Sequence, residues 1–455
     1  MENNARLHQL GNRPVGRLLW EYSLPAVVGM LVMALYNVVD RIFIGQWVGP
    51  EAIAGLAVTF PIMNLATAIG VLVGVGSSAR ISIVLGEGDK SRAEHILGNA
   101  MTLTLINAGI YIAAFAVFMN PLLHLFGAND ITLPYARGYM MPLLPGLLLT
   151  NIAYGFNNVM RSTGYPARAM YTMLIGAIVN TILDPIFIYV FDWGITGAAW
   201  ATNIAMAVSA IYVMRHFFSR DVTLRFRRGT FRINWKIFTA IISLGAAPAL
   251  VNFAGCAINA IVNNTLLHYG TYRDIGAAGI MITFTSLLVT VVLGICQGLQ
   301  PIIGYNFGAG NYHRLKKAYF LAAGAATVIT SVGGIIGLVF PREVGMAFTS
   351  DKDLLDATQR ALSICLAAFP VVGFQIISSA LLQSIGQASK AIWVSLLRQV
   401  IFLIPLLFIL PRISGLEGVW MSFPVSDVFA TVATLGIVWY QLREIDIRAR
   451  TRAHI

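Results

Sequence analysis

The sequence predicts an all-α polytopic membrane protein, with twelve transmembrane helices in two pseudo-symmetric six-helix lobes. Three observations predict it. Of the 455 residues, 57% are hydrophobic and only 11% charged, against about a quarter charged in soluble proteins. Apolar stretches of about 18 residues or more, long enough to cross a bilayer, recur almost end to end. Small-residue signatures in the first half return in the second at an offset of 222 or 223.

Apolar runs segment the chain into spans at roughly 18–45, 53–85, 96–120, 134–160, 169–191, 197–217, 236–266, 276–306, 318–341, 354–383, 391–411 and 418–442. The ends, Met1 to Arg17 and Arg443 to Ile455, are short, polar and basic, and no soluble domain fits between the spans. The first apolar segment lacks a small-residue cleavage site and is expected to be retained.

Most of the 31 Lys and Arg lie in the tails and in the loops on the same side as the tails. The richest is the central connection, with Arg215, Arg220, Arg225, Arg227, Arg228, Arg232 and Lys236. The opposite loops hold only Arg273, Arg342, Lys352 and Arg412. This bias predicts an inner-membrane protein with both termini cytoplasmic. It also assigns the net charge of +11 to topology and anionic lipid, so no nucleic-acid partner is expected. Cys256, Cys296 and Cys365 fall inside apolar segments without metal-ligand spacing and read as small core residues.

The duplication is specific. Gly76, Gly86, Gly88 and Asp89 recur as Gly298, Gly308, Gly310 and Asn311, an offset of 222 throughout. Ser162-Thr163-Gly164 matches Ser384-Ile385-Gly386, and Leu24-Pro25-Ala26 matches Ala247-Pro248-Ala249. Six helices per copy is an even number, so both copies insert the same way round, as in many secondary transporters. The expected organisation is an N-terminal lobe at 1–217, a basic cytoplasmic linker at 218–235 and a C-terminal lobe at 236–455.

Two carboxylates sit within apolar runs: Asp40 in the first span and Asp184 in the fifth. An ionisable group at that depth costs several kcal/mol unless paired, solvated or neutralised, so each reads as a functional site. Asn180 precedes Asp184 by four residues and shares its helix face. Asp40, Asp184 and Thr202 fall at one depth, roughly 8–10 Å below the outer boundary at 1.5 Å per residue. Two carboxylates, an amide and a hydroxyl supply hard oxygens for Na⁺; the same pair in a dry pocket would share a proton. The residues leave the choice of ion open, and no other metal is expected. In the second half the corresponding positions are Asn263, Phe402 and Leu406, so the ionisable site belongs to the N-terminal lobe alone.

A third acid, Asp427, faces a candidate structural partner in Arg398. Gly86-Glu87-Gly88-Asp89 spells the Gly-Asp motif of intramembrane aspartyl proteases, but lies among Lys90, Arg92 and Glu94 in a loop. No His-Glu-x-x-His motif or phosphate-binding Gly-Lys-Ser/Thr loop occurs, so neither an enzyme nor a bound cofactor is expected.

At these residues the chain resembles a known family. Tyr36-Asn37-Val38-Val39-Asp40-Arg41-Ile42-Phe43-Ile44-Gly45 is similar to the first-helix signature of the MATE (multidrug and toxic compound extrusion) transporters. Gly298 to Asn311, with Gln300-Pro301, resembles their eighth helix and following loop. Arg398-Gln399, Gly415-Leu416-Glu417-Gly418-Val419-Trp420 and Asp427 resemble most the MepA-like branch. The resemblance covers essentially the whole chain. It implies antiport of amphipathic, often cationic small-molecule drugs against H⁺ or Na⁺. It implies Asp40, Asn180, Asp184 and Thr202 as the ion-coupling set, with Tyr36, Tyr139 and Asn157 in support. Members with a second acidic site carry carboxylates in spans 7 and 10. Here span 7 offers only Asn252, Asn259, Asn263 and Asn264, which argues against that second site.

The expected machine is a monomer whose lobes rock about a central cleft, with Pro25 and Gly29 giving span 1 a place to bend. Met33, Phe60, Met63, Met173 and Phe284 are its candidate lining. The alternative is a flippase for lipid-linked sugars or other lipids, for which a more basic cleft is expected.

Overall fold

The computed structural model describes residues 2–453, and the regular structure among them is helical throughout. Spans 1 to 4 are Val15–Trp47, Pro50–Gly86, Lys90–Leu125 and Leu133–Ser162. Span 5 is Pro166–Pro185, continued by a π-helical turn at Ile186–Val190. Spans 6 to 9 are Gly194–Phe218, Trp235–Tyr269, Tyr272–Gly308 and Tyr312–Val339. Span 10 is bent by 59° between Lys352–Cys365 and Pro370–Ser384. Ala388–Leu396, a π-helical Leu397–Leu403 and Ile404–Ala453 then run on. Gly415, at φ 58° and ψ −135°, breaks this last run into span 11 (388–414) and span 12 (416–453).

Among the described residues, nine helices pass as membrane-crossing on length and apolarity alone, and the bent span 10 adds a tenth. The break at Gly415 divides one of the nine. Span 4, which carries Asn151, Asn157, Asn158 and Arg161, completes the twelve.

The repeat seen in the sequence is a repeat of turn geometry. Gly88 and Gly310 close spans 2 and 8 at φ +83° and +75°; Gly164 and Gly386 follow spans 4 and 10 at +98° and +82°. Only glycine adopts such a φ without strain, which explains why these positions match between the copies.

The lobes meet through two crossed pairs of helices. The first part of span 1, with Leu18, Leu19 and Tyr22, packs into a cluster with Leu299 and Ile303 of span 8. The first part of span 7, with Phe238 and Ile241, packs with Val73 and Ile81 of span 2. Glycines bring the backbones together at both seams. A Cβ at Gly76 would lie 2.0 Å from the Ile241 carbonyl oxygen, and one at Gly245 1.8 Å from that of Leu72. In the seam related to it by pseudo-twofold symmetry, a Cβ at Gly298 would lie 2.6 Å from Ser23 Cα, and one at Gly294 2.7 Å from Val27 Cα. These approaches all fall in the halves of the spans nearest the termini.

Candidate ion-coupling site

Spans 1, 5 and 6 bring Asp40, Asn180, Asp184 and Thr202 together inside the N-terminal lobe. All four are buried, Asp184 completely. One turn of span 5 separates Asn180 from Asp184, and the Asn180 Nδ2 donates to Asp184 Oδ1 at 3.3 Å. The same nitrogen donates to Thr202 Oγ1 at 3.3 Å, which ties span 6 to the site. The carboxyl groups of Asp40 and Asp184 lie against each other, which brings span 1 to span 5.

Pro185 follows directly and has no N–H to return to the helix. The chain passes through it into the π-helical turn, an irregularity that recurs at functional sites.

Three oxygens meet no hydrogen-bond donor among the described residues: Asp40 Oδ1, Asp184 Oδ2 and Asn180 Oδ1. A buried polar atom without a partner costs about 1–3 kcal/mol, more when charged. Two carboxylates in contact also repel strongly at low dielectric. A proton or small cation held among these oxygens relieves both costs. The side chains fit such a guest by donor type, since all are hard oxygens.

Around this set, the Tyr139 hydroxyl is hydrogen-bonded to Thr202. Tyr36 bonds Tyr154, whose hydroxyl also reaches Met33 Sδ at 3.4 Å. Arg41 turns away from its neighbour Asp40 and lies over the Phe60 ring, 5.5 Å from its centroid. Asn157 is engaged elsewhere, donating to the Ala169 carbonyl and accepting from Arg161. Met33 and Met173 line one small cavity between spans 1, 4, 5 and 6. Phe60 is 49% exposed, whereas Met63 packs on the core of its lobe. Phe284 packs in the C-terminal lobe, where it meets Gly337. Pro25 sits inside an unbroken span 1, and Gly29 lets Met173 approach: a Cβ there would be 2.6 Å from its sulfur.

The equivalent region of the C-terminal lobe is built differently. Phe402, which corresponds to Asn180, pairs with Phe429 at 5.8 Å between centroids. Arg398 Nε and Asp427 Oδ1 form an ion pair at 2.9 Å.

Two participants carry no clear sequence signal. Tyr154 is one aromatic among many. Arg161, 3% exposed, donates to Asn157 and Asn158 of its own helix and to Gln297 Oε1 across the lobe seam. Its only trace in the sequence is the spacing of Asn157, Asn158 and Arg161, at i, i+1 and i+4.

Known proteins match this architecture end to end. An "FAD transporter" of Shewanella oneidensis is 28% identical over 446 residues, covering 96% of both chains. The "Multidrug export protein MepA" of Staphylococcus aureus is 26% identical over 444 residues, covering 97% of both. A solved outward-facing multidrug resistance MATE transporter superposes with a TM-score of 0.91 at 24% identity, over 96% of this chain and 98% of that one. The MatE family model matches twice, at residues 25–186 and 248–409, one copy in each half. With its duplication matched copy for copy, the chain belongs to the MatE family and is a multi-pass membrane transporter, not an enzyme.

Proposed function

We propose that this protein exports amphipathic, often cationic small molecules across the inner membrane in exchange for H⁺, with Na⁺ able to occupy the same site. The observation that carries the reading is the contact between Asp40 and Asp184 beside three oxygens without donors. Membrane-embedded carboxylates held in such contact make neutralisation by a cation the natural switch.

The coupling runs through span 1. Its later part carries Asp40 to the site, while its first part forms the seam with span 8 at Ser23 and Val27. About 13 residues, roughly 20 Å of helix, join the two. With the ion gone, repulsion between the carboxylates pushes span 1 from span 5, and a rigid helix passes that motion to the seam. With the ion bound, the pair closes again. Both termini, the linker 218–235 and the tight half of the lobe seam would be cytoplasmic, so this arrangement is closed inward and offers its cleft outward.

Ethidium efflux from proteoliposomes, with proton and Na⁺ gradients imposed separately, tests the reading. Efflux driven by a proton gradient alone supports it; no efflux under either gradient contradicts it. The FAD transporter relative makes FAD the second substrate to assay in the same vesicles.

A further inference from the structure

We propose that a cavity at the junction of spans 2, 3 and 7, on the side of the termini, binds the phosphate of an anionic phospholipid headgroup. The cavity measures about 430 Å³, and its lining includes Arg80, Asp89, Arg92, His95, Asn234 and Lys236. Arg80 and Arg92 belong to the N-terminal lobe and Lys236 to the C-terminal lobe, so a bound phosphate would bridge the two.

Glu87 faces two of these cations, pairing with Arg92 and acting on Arg80 without touching it. No ion pair holds Arg80 or Lys236 among the described residues, and Arg92 reaches only Glu87, at 3.4 Å on the surface. Asp89, the one carboxylate in the lining, caps span 3 by accepting from the Arg92 backbone N–H at 2.9 Å. Asn234 caps span 7 in the same way, accepting from the N–H groups of Lys236 and Ile237 at 3.0 and 3.4 Å. Both helix N-termini are therefore already capped, that of span 3 by a carboxylate, and the attraction for an anion comes from the three cations.

The pseudo-symmetric region of the other lobe supplies the second observation. Arg314, the counterpart of Arg92, is filled by the chain itself: its guanidinium donates to the carbonyls of Leu10 and Arg13, at 3.3 and 2.5 Å. Asn306 joins it on the Leu10 carbonyl at 3.1 Å, and Leu10 is fully buried. The counterpart of Arg80 is Ile302, a core residue. In the N-terminal lobe the linker is held further along span 3, where Asn99 and Thr102 donate to the carbonyls of Thr230 and Phe231 at 3.1 and 2.9 Å, and Ile233 is left 51% exposed. The Arg92 guanidinium, unlike that of Arg314, donates to no backbone carbonyl among the described residues.

Lipid is the favoured source of the phosphate. Trp235 and Phe231 stand exposed beside the cavity, as aromatic residues do at headgroup level. Ile237 and Ala240, both half-buried, continue its lining with apolar atoms for the glycerol and acyl chains. The placement in the cytoplasmic leaflet, where anionic lipid collects, rests on the topology proposed above. Lipid binding is measured without transport, so failure of one does not entail failure of the other.

The test uses the purified, delipidated full-length protein titrated with phosphatidylglycerol, phosphatidylcholine or inorganic phosphate, read by native mass spectrometry and thermal shift. Retained, saturable binding of phosphatidylglycerol over phosphatidylcholine is expected. It should weaken about tenfold in Arg80→Gln and in Lys236→Gln, as loss of one charge-assisted contact implies. Lys317→Gln, equally basic but outside the cavity, should leave it unchanged. Lys236 is exposed, so its variant tests the site even where Arg80→Gln does not fold. Equal affinity for the neutral lipid, an unchanged Lys236→Gln, or inorganic phosphate displacing the lipid at lower concentration would each overturn the assignment.

Discussion

Gly86 and Gly308, 222 positions apart, each press the opposite lobe at the other's level. A Cβ on Gly86 would lie 2.1 Å from the Tyr305 carbonyl oxygen, and one on Gly308 2.0 Å from that of Ile83. Ile83 and Tyr305 are themselves 222 apart, so the contact is a single device used twice about the pseudo-twofold axis. It sets how closely the lobes pack on the side of the termini.

A side chain at either glycine is therefore predicted to wedge the lobes apart, because the obstacle is backbone and cannot rotate away. Overpacking of this kind costs roughly 1–3 kcal/mol or more. Spin labels at Lys90 and His313 should report a longer or broader separation in Gly308→Val than in the parent. An unchanged distance distribution would mean that the seam is softer than these contacts imply.

Much of this was legible in the sequence, for physical reasons. Gly88, Gly164, Gly310 and Gly386 announce the duplication because positive φ leaves little choice of residue. Asp40 and Asp184 announce themselves because lipid penalises charge, and the i, i+4 spacing of Asn180 and Asp184 gave their shared face. The number of spans followed from length and apolarity, although the bend in span 10 and the break at Gly415 did not. What stayed hidden depends on contacts between distant segments. Nothing local to Arg161 points to Gln297, 136 residues away, and nothing in Phe284 alone points to Gly337.

The Arg398–Asp427 pair is predicted to matter more to stability than to coupling. Asp427 is nearly buried while Arg398 keeps about a quarter of its surface, so screening reduces the cost of breaking the pair below the fully buried case. Asp427→Asn should lower the melting temperature yet retain at least partial efflux. If Asp427→Asn is as inactive as Asp40→Asn while Arg398→Ala stays active, the coupling site has been placed in the wrong lobe.

Thr202 separates the two ions. Its hydroxyl accepts from Asn180 at 3.3 Å and offers an oxygen that Na⁺ needs and a proton does not. Thr202→Val keeps the shape and deletes that oxygen. Loss of a contact worth about 1 kcal/mol should raise the half-saturating Na⁺ concentration of Na⁺-driven efflux about fivefold. Under a proton gradient alone the change should be modest. Strict Na⁺ dependence at fixed pH, weakened by Thr202→Val, would overturn the preference for H⁺ while keeping the site.

The central claim is that Asp40 and Asp184 work as one ion-sensing pair, and Asp40→Asn tests it most directly. The substitution removes the charge, keeps the shape and leaves the Asn180–Asp184 bond in place. The measurement is ethidium efflux from proteoliposomes under an imposed proton gradient, with the variant and parent reconstituted at equal density. Efflux in Asp40→Asn is predicted to fall to the level of empty vesicles while the protein still inserts and folds. Gradient-driven efflux at the parental rate in that variant would contradict the account.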